Sequence, residues 1–165
     1  NDVLEMEKML NEYLQFARSS FSEKTEKFNM AELIANNIKK YGNKNISKKL
    51  DETIVMNGRK NLIQRCLNNL IDNSIKYSNN IDIQLTKNNN YLSVIIDDDG
   101  PGISKKEYSN VFKPFYKIDK SRSDSKSSVG LGMSIASDVV RSHGGNIILD
   151  KSPQNGLRVK VFFPC

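Results

Sequence analysis

The sequence predicts an α+β fold: a two-layer sandwich with helices on one face of a mixed, mostly antiparallel sheet, preceded by one long helix. Three observations predict it. Residues 58–77 and 131–142 carry apolar side chains at helical spacing. Residues 81–85, 91–97, 146–150 and 157–163 have strand composition or alternation. These strands come in neighbouring pairs joined by turn residues, which favours antiparallel pairing under a helical layer. A chain of 165 residues suits one domain plus an appendage. It can bury a core without disulfides or metals.

Residues 2–20 read as a helix, with Val3, Met6, Leu10, Tyr13 and Ala17 at steps of three and four, and Met9, Leu14 and Phe16 widening the stripe. The chain opens with neither a start methionine nor a cap, so this helix is expected to begin upstream. The polar run Ser19 to Asn29 ends it. Ala31 to Tyr41 is a second helix with Leu33, Ile34 and Ile38 inward, stopped at Gly42. Ile46–Leu50 and Thr53–Met56 are short strand candidates. Asn57 is a plausible cap for the helix over 58–77. Asn88-Asn89-Asn90 turns one strand pair, and Ser152 to Gly156 turns the other. Gly144-Gly145 terminates the helix over 131–142. The domain boundary falls between an appendage, 1–26, and a globular part, 27–165.

Charge and composition exclude several function classes. Lys and Arg number 25 against 19 Asp and Glu, a net of +6. The first 26 residues hold six acids and three bases, so the remainder carries +9. Lys105, Lys106, Lys113, Lys117, Lys120, Arg122 and Lys126 crowd one stretch, a candidate for holding a small polyanion rather than a nucleic-acid footprint. No apolar run approaches a membrane span. Two distant cysteines, Cys66 and Cys165, suggest a reducing compartment. The single histidine, His143, excludes a histidine dyad and His-rich zinc sites.

Three segments carry chemistry. On the helix over 58–77, Ile63, Leu67, Leu70 and Ser74 point one way, while Asn69, Asn73 and Lys76 share an arc of about 60° at the border. Asn and Asp are poor helix formers, so their density here asks for a reason. Amide oxygens coordinate hard cations, and a nearby lysine meets phosphate. Asp97-Asp98-Asp99-Gly100-Pro101-Gly102-Ile103 follows an apolar strand; a strand-end carboxylate accepts from an amine, and glycines allow backbone to approach a flat ring. Gly130-Leu131-Gly132-Met133 opens a helix seated by Ile135, Val139 and Val140, leaving backbone amides for phosphate.

Taken in order, with Phe112-Lys113-Pro114-Phe115-Tyr116-Lys117 between the second and third, these segments resemble the ATP-binding domain of bacterial sensor histidine kinases. Osmosensor-type kinases are the nearest in pattern, within the superfamily shared with gyrase, Hsp90 and MutL. Asn69 to Ser78 matches the N box, Asp99 to Ile103 the G1 box, Phe112 to Lys117 the F box, and Gly130 to Met133 the G2 box. The likeness covers residues 28–165, and residues 1–26 resemble the second helix of the dimerisation domain that precedes it in the family.

The resemblance implies a Bergerat-type fold binding ATP and Mg²⁺. Asp99 would bind the adenine amine, with Gly100, Gly102 and Ile103 around the base. Asn73 would ligate the metal with Asn69 close by, and Lys76 and Tyr77 would meet phosphate or ribose. Lys117 and Arg122, on a lid over about 118–129, would face phosphate, and Gly130, Leu131, Gly132 and Met133 would complete the cradle. Asn69 and Lys76 are the catalytic candidates. It also implies a homodimer through the first helix, a response-regulator receiver domain as partner, a cytoplasmic location, and membrane segments only upstream. No nucleic acid is implied.

Two positions depart from the family pattern. Ser128 stands where a further glycine is frequent, and Asn69 stands where hydrolysing relatives such as Hsp90 place a glutamate. An amide is no general base, so ATP hydrolysis is expected to be slow. The family's phosphoacceptor is a histidine on a preceding helix, and the only histidine here, in the helix-ending His143-Gly144-Gly145, does not match it; the chain is expected not to phosphorylate itself. The alternatives are an Hsp90- or MutL-like ATPase and a basic interaction module without chemistry.

Overall fold

Alternating residues in 80–87 and 91–98 put one apolar row on each strand, and the fold buries both rows against helices. The computed structural model describes residues 2–42, 44–116 and 131–165. In chain order the elements are α1 (Asp2–Ser22), β1 (Glu26–Asn29), α2 (Met30–Lys39), β2 (Asn45–Leu50), β3 (Val55–Gly58), α3 (Lys60–Tyr77), β4 (Asn80–Lys87), β5 (Tyr91–Asp98), α4 (Gly132–Ser142), β6 (Asn146–Lys151) and β7 (Leu157–Pro164). Single 3₁₀ turns lie at Lys105–Glu107 and Asn110–Phe112.

Five strands form one sheet in the order β2-β4-β5-β7-β6, and β1 pairs with β3 in a separate ribbon. Only β2–β4 is parallel, so the main sheet is mixed and mostly antiparallel as expected. One face carries Ile81, Ile83 and Leu85 of β4, Leu92, Val94 and Ile96 of β5, and Val159, Val161 and Phe163 of β7, all buried. Onto it pack α3 and α4, through Ile63, Cys66, Leu67, Leu70, Ile71, Ile135, Val139 and Val140. Removing this apolar surface from water is the main force holding the two layers together.

Asn57 does not cap α3; it lies in β3, opposite Lys27. The N-cap position is Arg59, whose side chain makes no cap bond. Instead Glu23, beyond the end of α1, accepts from the amides of Asn61 (2.7 Å) and Leu62 (3.0 Å). A carboxylate there satisfies two orphan donors and meets the positive end of the helix dipole. His143 closes the same corner: Nε2 accepts from the Arg59 amide (3.1 Å), while Nδ1 lies 2.7 Å from the Val139 carbonyl. Met9 and Phe16 of α1 are buried, and Arg65 of α3 donates to the Glu12 carbonyl. Val3, Leu4, Met6, Leu10, Tyr13 and Leu14 of α1 are exposed. No described helix is long and apolar enough to cross a membrane.

Candidate functional site

The three consecutive acids of β5 meet three different fates, and strand geometry decides them. Successive side chains alternate faces, so Asp97 points outward and pairs in register with Arg158 of β7 through two hydrogen bonds, 2.7 and 2.9 Å. Asp98 falls on the inner row with Val94 and Ile96, at the end of the strand, and is only 4% exposed. Its Oδ1 accepts from the amides of Gly100 (2.9 Å) and Leu157 (3.0 Å). Burial raises its pKa above the ordinary carboxylate value, against the lowering effect of those two N–H donors. Asp99 lies past the strand end and turns the other way. It accepts from the Asn79 amide (2.9 Å), the Asn80 amide (3.0 Å) and Asn80 Nδ2 (2.7 Å). The Asn80 donors, then the Asn79 amide, hold the Asp99 carboxyl below its usual pKa.

The residue expected to read an amine, Asp99, therefore has both oxygens occupied by the chain itself, and the inward carboxylate belongs to Asp98. The signal for Asp98 was present in the sequence. Counting back from Gly100 and Gly102, the Asp-x-Gly-x-Gly spacing begins at 98, and the Leu92, Val94, Ile96 alternation puts 98 on the helical side.

Backbone at the strand end approaches its neighbours closely. A β-carbon on Gly100 would stand 2.6 Å from the Tyr77 carbonyl oxygen, so the loop after β5 lies directly against the end of α3. Gly102 adopts φ +72°, a conformation that only glycine takes readily. Beside this junction is a recess of about 480 Å³ lined by Lys76, Tyr77, Ser78, Asn79, Asp99, Gly100 and Pro101. Lys76 Nζ stands 5.4 Å from the Tyr77 ring centroid, and both side chains are exposed. Ile103 is partly buried on the core.

The third segment meets the first. A β-carbon on Gly132 would lie 3.9 Å from Asn69 Cβ, so the N-terminal turn of α4 faces the amide row of α3. Asn69 and Asn73 are half-exposed, and neither amide is hydrogen-bonded among the described residues. Two amide oxygens beside a helix N-terminus suit a hydrated divalent cation carried by phosphates. Leu131 is 1% exposed, so its side chain belongs to the core and only its backbone is open to a ligand. Met133 packs partly on the core. Lys117, Arg122 and Gly130, with Ser128 and the lid over 118–129, lie outside the described residues. Among the described residues no cluster of His, Cys, Asp and Glu could hold a metal.

A sheet covered on one face by two helices, with a buried strand-end acid, a row of helix amides and a glycine-opened helix beside it, defines a nucleotide-binding α+β domain. Comparison with known proteins narrows this class. The family model described as "Histidine kinase-, DNA gyrase B-, and HSP90-like ATPase" matches residues 58–165, and the chain belongs to that family. Sensor histidine kinase CpxA of Escherichia coli K12 is 31% identical over 108 residues, 65% of this chain and 24% of that protein. Heme sensor protein HssS of Staphylococcus saprophyticus is 36% identical over 115 residues, 68% of this chain and 24% of that protein. The chain thus spans about a quarter of the length of these relatives. Among solved structures, the mycobacterial sensor histidine kinase MprB superposes with a TM-score of 0.75 at 23% identity, covering 86% of this chain and 97% of that one. ShkA in complex with AMPPNP superposes with a TM-score of 0.79 at 16% identity, covering 95% of this chain and 35% of that one. These likenesses show the same fold.

Proposed function

We propose that the chain is the ATP-binding catalytic part of a sensor histidine kinase, donating the γ-phosphate to a histidine for relay to a response-regulator aspartate. The observation that carries this reading is that the opening of α4 lies against Asn69, midway along α3, while the loop that follows Asp98 lies against Tyr77 at the helix end. Asp98 rather than Asp99 accepts from the adenine amine, with Gly100, Gly102 and Ile103 beside the base. Asn73, with Asn69 next to it, holds Mg²⁺, which when bound neutralises phosphate charge. Lys76 and Tyr77 face ribose or phosphate, and the amides opening α4 meet the phosphate chain.

The phosphoacceptor lies outside this sequence. His143 has Nδ1 against the Val139 carbonyl and Nε2 accepting from Arg59, so neither nitrogen is offered as a nucleophile. Two copies of α1 pair through Val3, Met6, Leu10 and Tyr13, an exposed apolar stripe of the kind that packs against a partner helix. The receiver domain of a response regulator is the onward partner. The chain works on the cytoplasmic side of a sensor anchored by segments upstream.

A fluorescent ATP analogue titrated with Mg²⁺ tests the assignment. Asp98→Asn replaces one acceptor oxygen by a donor and is expected to weaken binding at least tenfold, as a lost charge-assisted hydrogen bond does. Asn73→Ala is expected to weaken the Mg²⁺-dependent part of binding. Undiminished affinity in both variants would sink the reading.

A further inference from the structure

Asp99 is tied to the start of β4 by four hydrogen bonds. Its amide donates to the Asn80 carbonyl (3.2 Å), and its carboxylate accepts from the amides of Asn79 and Asn80 and from Asn80 Nδ2. Asn79 and Asn80 follow α3 after its cap residue Ser78, and the last helical residues are Lys76 and Tyr77. One residue along, Gly100 lies so close to the Tyr77 carbonyl that no side chain fits between them. One residue back, Asp98 is fixed by Gly100 and Leu157. Asp99 is therefore the fastener between two walls of one recess: the strand-end loop bearing Asp98 and the helix end bearing Lys76 and Tyr77.

We infer that Asp99 is a positioning residue, setting the separation between the base-reading carboxylate and the helix end that meets ribose and phosphate, without touching the nucleotide itself. This rests on the nucleotide-binding reading above and adds a role that reading does not contain. A single ATP must reach Asp98 and the last turn of α3 together, so loosening their junction lowers affinity whatever base is bound. The carboxylate offers acceptors alone, and all three facing groups are donors; an asparagine at 99 can keep the three contacts because Asn80 can turn its own amide to present Oδ1, whereas an alanine keeps none of them.

The chemistry supplies a discriminating test. Asp99→Ala removes all three acceptor contacts, whereas Asp99→Asn keeps them without the charge, the Asn80 amide turning to accept from the new Nδ2. Affinities of the purified chain are measured for ATP and for purine ribonucleoside triphosphate, which lacks the 6-amino group, with a thermal melt of each variant to show folding. Asp99→Ala is expected to lose at least about fivefold for both triphosphates alike, as loss of one or more hydrogen bonds predicts. Asp99→Asn is expected to stay within roughly twofold of the parent for both. Loss confined to ATP would mean that Asp99 itself reads the amine and would overturn the inference, as would a folded Asp99→Asn no better than Asp99→Ala. Failure of the reading underneath looks different. If Asp98→Asn still prefers ATP over the purine triphosphate as the parent does, Asp98 does not read the base, while the alanine and asparagine pair still judges Asp99.

Discussion

Replacing Gly156 by alanine probes the site at its tightest point. The turn between β6 and β7 closes with the Ser152 amide donating to the Gly156 carbonyl, and it rests on the end of β5: Ser152 Oγ donates to the Asp98 carbonyl (2.6 Å) and accepts from the Gly156 amide (2.9 Å). A β-carbon on Gly156 would stand 2.2 Å from the Asp98 carbonyl oxygen and 2.4 Å from Asp98 Oδ1. Ordinary contact requires the strand end and the turn to separate by about 1 Å or more. Overpacking of this kind costs about 1–3 kcal/mol. Stretching the Ser152–Asp98 and Leu157–Asp98 hydrogen bonds adds about 1 kcal/mol. A loss near 3 kcal/mol corresponds to about 6–12 °C in Tm for a chain of this size. Because the displaced group is Asp98 itself, ATP affinity is expected to fall about tenfold as well. Calorimetry and nucleotide titration read the two effects. Gly42→Ala is the control, since its β-carbon would meet nothing nearer than 3.7 Å, and it is expected to stay within about 0.5 kcal/mol of the parent. A Gly156→Ala chain that melts and binds ATP like the control would refute the close approach and the carboxylate position derived from it.

Glu23→Gln removes the charge capping α3 and leaves one oxygen for two amides; it is expected to lower stability by about 1 kcal/mol. ATP affinity, set at the helix's other end, should be unchanged by titration. Burial lowers the pKa of His143, with the Arg59 charge adding to this and the Val139 carbonyl and Glu23 opposing it. The unfolded chain therefore binds the proton first. Stability is full above about pH 6.5 and declines as pH falls below it. His143→Gln should flatten the slope of Tm against pH in that range. Asp98 has the opposite sign. Its raised pKa means that, as pH falls, ATP affinity begins to drop at a higher pH than an unperturbed aspartate would set, and this acid limb should vanish in Asp98→Asn.

Much of this architecture was readable from pattern alone because the inner rows are nearly uninterrupted. Ile63, Leu67 and Leu70 mark α3, and Ile81, Ile83 and Leu85 mark β4; each is buried as the periodicity requires. The short ribbon was not readable. β1, Glu26–Asn29, has a single buried residue, Phe28, and takes its strand form from pairing with β3, a partner distant in sequence that local propensity does not reveal. The cap of α3 was missed for the same reason: Glu23 precedes the helix by 37 residues, whereas cap rules look one residue back. Near the proposed site, the glycine opening of α4 lies beside Asn69 of the amide row. Which of the three acids turns toward the helical layer was not readable from identical neighbouring side chains; strand alternation puts Asp98 there.

Both ends of α3 are tied to something outside it. At the N-terminal end, Glu23, Arg59 and His143 join it to the chain leaving α1 and to the end of α4. At the C-terminal end, the Asn79–Asn80 junction joins it through Asp99 to the strand-end loop. Eighteen residues of helix span about 27 Å, so one rigid element runs from the chain leaving α1 to the proposed nucleotide recess. Between those ends lies Asn69, an amide that cannot take a proton from water. Phosphoryl transfer depends chiefly on placing donor and acceptor. On the proposed function, a chain with no base at this position and its nucleotide walls fixed to a helix-borne linker would hold ATP until an acceptor is brought to it, rather than spend it on water.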